Sequence, residues 1–98
     1  MIRIARTFTA KPGKEHELLD VLKDIRGYAR DMGVESRIFT EPWGPGGVVH
    51  VHNDFEDAGE AQTWWQTLST NPRAREPLLS IQLLIEGHRE TSFLVRTT

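Results

Sequence analysis

Ile2-Arg3-Ile4-Ala5-Arg6-Thr7-Phe8, followed by Lys11-Pro12-Gly13-Lys14, is the stretch whose reading decides the fold. Ile2, Ile4 and Phe8 alternate with Arg3, Ala5, Thr7 and Thr9, the period of a half-buried strand. Arg6 is the exception, a charge on the apolar side. Pro12-Gly13 stops the strand. Glu15 and Glu17 then occupy a first helical turn, with Arg26 and Arg30 near the end, as the helix dipole favours. Leu18, Val21, Leu22, Ile25, Tyr28, Ala29 and Met32 recur at three and four residues and form one apolar stripe. Gly33 supplies the left-handed position that ends the helix.

A second strand–helix unit follows with different punctuation. A weaker strand is expected at about 34–41, then a Pro/Gly-rich hairpin loop at 42–47, then a strand at about 48–54. In that strand Val49 and Val51 oppose His50 and His52. Asp57 with Glu60 three residues on is a capping-box pattern. The helix it opens carries Ala58, Ala61, Trp65 and Leu68 as its stripe, with Trp64 at the edge, and Asn71-Pro72 closes it. Residues 73–79 read as a connector. Ile81, Leu83, Ile85, Phe93 and Val95 stay in phase, which predicts one last strand of about sixteen residues, roughly three times the usual length. Such a strand outruns its neighbour, and pairing with a second subunit would satisfy its spare backbone donors. The rival reading is a hairpin turning at Glu86-Gly87-His88.

The element order is therefore βαββαβ, an α+β, ferredoxin-like fold with a four-stranded antiparallel sheet and helices on one face. The 98 residues are expected to form a single domain, 1–98, and a chain this size buries only about two-thirds of its unfolded surface. A formal charge of −2 and a pI near 6.1 provide no electrostatic footprint for nucleic acid or anionic membrane. The absence of cysteine excludes disulfides and thiolate chemistry. No apolar run suits a signal peptide or a membrane span, so a cytoplasmic protein is expected. The glycines of 44–47 lack the helix and Lys-Ser/Thr of a phosphate loop, and no serine lies in a nucleophile-elbow context.

Strand alternation sorts the polar candidates into two places. On the helix-covered face, Arg6, Tyr28, Asn53 and Trp65 would line a pocket, with Trp64 at its edge; apolar walls with few polar groups suit a small molecule. An arginine there would stabilise an enolate or phenolate. The competing reading puts Arg6 at the sheet end, stem packed and head in water. The opposite face is expected to hold Thr7, His50, His52, Glu86 and His88. His50 and His52 stand about 6–7 Å apart on one side, a spacing that suits a metal. Hydrogen-bonded histidines inside a dimer are the preferred reading, and no metal is expected. Trp43, at the hairpin tip, reads as a lid or a dimer contact.

Pro12-Gly13-Lys14, Gly44-Pro45, Phe55-Glu56-Asp57, a helical Trp and the long last strand resemble the dimeric α/β-barrel group of ferredoxin-like proteins. The resemblance is to the antibiotic-biosynthesis-monooxygenase and NIPSNAP-like families. It implies a homodimer whose two sheets face each other as a barrel, helices outside. It also implies a small-molecule-binding protein, a cofactor-independent monooxygenase or cyclase of aromatic, polyketide-like compounds; the alternative is a non-catalytic ligand-binding or dimerisation domain. The expected partners are a second copy and a small aromatic ligand, with no cofactor. Haem-degrading relatives use an Asn on the first strand and a His just beyond the second helix, and this sequence has neither. Quinone-forming oxygenases place an Asn one turn before the helical Trp, where this chain has Glu60 and Ala61.

Overall fold

A computed structural model describes residues 1–41 and 46–94 of the chain. Its elements are β1 (Ile2–Ala10), α1 (Glu15–Asp31), β2 (Ser36–Thr40), β3 (Val48–Phe55), α2 (Ala58–Thr70), α3 (Pro72–Leu84) and β4 (Ile85–Leu94). The strands form one antiparallel sheet in the order β2-β3-β1-β4, the ferredoxin-like arrangement read from the sequence. Gly33, at φ +80°, takes the left-handed conformation that ends α1. Asp57 caps α2 by accepting the Glu60 N–H at 2.8 Å, while the Glu60 carboxylate accepts the Glu56 N–H at 3.1 Å. No helix among the described residues is long and apolar enough to cross a membrane.

Three expectations are corrected. The connector at 73–79 is helical and belongs to α3, which starts with an asparagine cap and a proline in the first turn. Asn71 accepts the Arg73 N–H at 3.0 Å, and Pro72 needs no hydrogen-bond partner at that position. Ala74, Leu78 and Ile81 then turn inward on the core, so the first third of the expected last strand is the end of this helix. Among the described residues β4 is consequently ten residues long beside the nine of β1, and there it neither folds back as a hairpin nor outruns its neighbour. Val95 and Arg96, like the 42–45 segment with Trp43, lie outside the described residues.

The second correction follows from the first. A register shift between Thr9 and Ala10 pairs Ala10 with Ile85 but Thr9 with Gly87. The extra residue, Glu86, reverses the alternation of everything after it. His88, Glu90 and Ser92 pair with Phe8, Arg6 and Ile4 and lie on the helix-covered side. Arg89, Thr91 and Phe93 take the open side. His88 is therefore not a neighbour of His50 and His52.

The third concerns α2. Ala61, Trp64 and Leu68 are its buried residues, and Trp64 packs on Phe55 with ring centres 5.4 Å apart. Trp65, assigned to the core by periodicity, is 44 % exposed. Either indole continues the stripe from Ala61; contact with Phe55 at the end of β3 selects Trp64.

The core lies in two clusters between the sheet and its helices. Phe8, Val49, Leu18, Leu22 and Ile81 pack at one end, and Phe55, Trp64, Leu68, Ala29 and Ala74 at the other. Among the described residues none forms a layer on the opposite sheet face, and the shortest axis measures 18 Å. Phe39 and Phe93 on that face are about half exposed.

Candidate functional site

Between the two core clusters the helices stand off the sheet and leave a cavity of about 750 Å³, within the range of about 300–1,000 Å³ usual for small-molecule sites. Its floor is the helix-side face of β1, β3 and β4; α1, α2 and α3 form its walls. Arg6, Asn53, Trp64 and Trp65 line it. Tyr28 does not: its ring lies beneath the Arg73 guanidinium at 5.2 Å. Tyr28 shares the α1 stripe with Leu22 and Ile25, but it lies at the end of the helix beside α3.

Arg6 is the centre of the site. Its side chain is 14 % exposed, and its guanidinium carbon lies 5.1 Å from the Trp65 ring centre and 5.6 Å from that of Trp64. A cation over an indole face is stabilised by the ring quadrupole. Glu90 stands 3.5 Å from the guanidinium, long for a charge-assisted hydrogen bond. Burial pulls the Arg6 pKa down, and Glu90 partly restores it. The group remains a cation with donors to spare, not a solvated head at the sheet end.

Asn53, 1 % exposed, is the buried polar residue of the core. Its amide donates to the Ser36 hydroxyl, and its Oδ1 has no partner among the described residues. The same is true of Trp64 Nε1. A buried polar atom left unpaired costs about 1–3 kcal/mol, and such exceptions call for an explanation. Both residues line the cavity, but these two atoms are closed off from it, each with under 1 Å² of exposed surface.

Three further lining residues, Arg26, His88 and Glu90, were not assigned to this site from sequence. The β4 pair depends on the register shift, which leaves no mark in the local pattern beyond Gly87. Arg26 could have been found: it lies one residue beyond Ile25 on the α1 stripe.

His50 and His52 occupy the open face. The Thr7 hydroxyl lies 3.0 Å from His50 Nδ1, and Glu41 Oε1 2.8 Å from Nε2, so both ring nitrogens are engaged. His52 packs on Phe39, ring centres 4.9 Å apart. Burial, then Arg3 and His50, lower the His52 pKa, with Asp54 opposing. Arg3 meets Asp54 through two hydrogen bonds of 2.8 and 3.0 Å, which hold the Asp54 carboxyl below its ordinary value. Among the described residues no group of three metal-ligating side chains converges.

No protein-family model matches the sequence, and no curated protein matches it. Solved structures do resemble it. An uncharacterised NIPSNAP domain protein from Burkholderia xenovorans superposes with a TM-score of 0.83 at 18% identity, over 98% of this chain and 95% of that one. A NIPSNAP family protein from Agrobacterium tumefaciens gives 0.81 at 19%, over 95% and 90%. An antibiotic biosynthesis monooxygenase gives 0.74 at 12%, over 100% and 99%. The structural neighbours thus come from the two groups the sequence resembles, and at these identities they share the fold.

Proposed function

We propose that this chain is a homodimeric protein that binds a small aromatic, polyketide-like compound in the cavity and acts on it as a cofactor-free monooxygenase or cyclase. The carrying observation is one aromatic-walled cavity with a buried guanidinium at its wall. A planar hydroxyketone fits these requirements. Its rings replace water against Trp64 and Trp65, and its oxygens accept from Arg6. Oxygenation and cyclisation of such compounds both pass through an enolate or phenolate, the charge Arg6 would stabilise. The half-exposed Phe39 and Phe93 support a second copy on the open face, since paired apolar surface is what association removes from water.

A second reading is a non-catalytic ligand-binding domain of the same fold. What favours it is the residue one turn before each indole: Glu60 and Ala61 stand where the oxygenase pattern has an asparagine. Titration with juglone, a hydroxynaphthoquinone, followed by tryptophan quenching, tests the shared part. Saturable quenching is expected, weakened about tenfold or more in Arg6→Gln, the loss of one charged hydrogen bond. Unsaturable quenching, or equal affinity in the variant, contradicts it. Oxygen uptake or ring closure with related hydroxyarenes then separates the catalytic reading from the binding one.

A further inference from the structure

We propose that His88 is the base of this cavity: its imidazole removes the proton beside the carbonyl of a bound aromatic ketone, while Arg6 holds the enolate oxygen. The inference rests on the reading that the cavity binds such a compound, and it adds the step and the residue that performs it. The C–H bond breaks and its proton forms an N–H bond on His88. The electron pair left behind moves through carbon to the carbonyl oxygen, whose negative charge is met by the guanidinium. Nothing is oxidised, and no co-reactant is needed.

The sheet register carries the argument. Arg6 pairs with Glu90 and Phe8 with His88, so Arg6 and His88 are diagonal neighbours on the same face, about 7–8 Å apart at the backbone. Both side chains line the cavity, so one bound molecule can meet both. The His88 ring stacks on Phe8, centres 5.2 Å apart and planes inclined by 21°, which fixes its orientation. It sits at the exposed edge of the cavity, where a captured proton can leave to solvent. The remaining histidines are elsewhere: His50 and His52 on the open face, and His16 on the solvent side of α1 beside Asp20.

The charged groups lining the cavity besides His88 are Arg6, Arg26 and Glu90. Two cations favour an anionic product. Glu90 lies two residues along β4 from His88 on the same face. Its loose 3.5 Å contact with Arg6 is also the one an incoming oxyanion would replace.

The test uses β-tetralone, an aromatic ketone, in deuterated water, with loss of its α-proton signal followed by NMR and binding followed by tryptophan quenching. The protein is expected to accelerate exchange above buffer. His88→Gln should still bind β-tetralone yet lose about 100-fold of the acceleration. Exchange in His88→Gln at the unsubstituted rate overturns the assignment while leaving the cavity reading intact. So does binding without acceleration by the unsubstituted protein. Absence of β-tetralone binding overturns both.

Discussion

A guanidinium taken out of water loses several kcal/mol of hydration, which attraction to one distant carboxylate does not restore. At Arg6 two indole faces and Glu90 share the compensation. The arginine stands out in the sequence because it interrupts the apolar side of β1, and that interruption was the legible part of the site. Asn53 was legible for the same reason. His88 was not, since alternation alone cannot reveal one extra residue at Glu86. At this scale His52 gives a pH prediction. Its pKa is lowered by burial first, then by Arg3 and His50, so the unfolded chain binds the proton more readily. Its contribution to stability is full above the ordinary imidazole value of about 6.5 and is lost as pH falls through the lower folded value. Thermal melts should show the native chain losing Tm below that pH and His52→Gln losing less. Parallel pH profiles for the two would contradict this.

At the scale of elements, local signals succeeded where side chain and backbone agree. Pro12-Gly13, Gly33 and Asp57 ended or began elements where expected. Asp57→Ala should cost about 0.5–2 kcal/mol in denaturant melts, the usual loss for an N-cap; no change would mean the capping bond adds nothing. α3, which holds Pro77 in its interior, was missed because Ile81, Leu83 and Ile85 mimic a strand. Asn71-Pro72 was in fact a start signal as well as a stop, and Ala74, Leu78 and Ile81 hold helical spacing. Proline lacks one backbone donor and costs helix stability, yet burial of that stripe outweighs it. The indole pair shows the limit of periodicity, since Trp64 and Trp65 both continue a stripe from Ala61. Trp64→Ala should cost about 3–5 kcal/mol and Trp65→Ala far less, while Trp65→Ala weakens ligand binding through its contact with Arg6. The reverse order of stabilities would restore Trp65 to the core.

At the scale of the molecule, one sheet has a covered face with a cavity and an open face with two half-exposed phenylalanines. The ferredoxin-like order was legible because two strand–helix units repeat. The cavity volume was not, since it depends on how far three helices stand from the sheet. A second copy on the open face would shield His52 and Phe39 and leave the cavity mouth on the opposite side, so dimerisation and ligand binding should be separable: Phe39→Lys is expected to give monomers in sedimentation runs that still quench with juglone. Monomers that no longer bind would place the ligand between subunits instead. The central claim, that the helix–sheet cavity holds an aromatic compound, is met most directly by native mass spectrometry of protein purified from its source. The account predicts two chains carrying a small aromatic molecule that Arg6→Gln fails to retain; bare chains that take up no hydroxyarene on addition would contradict it.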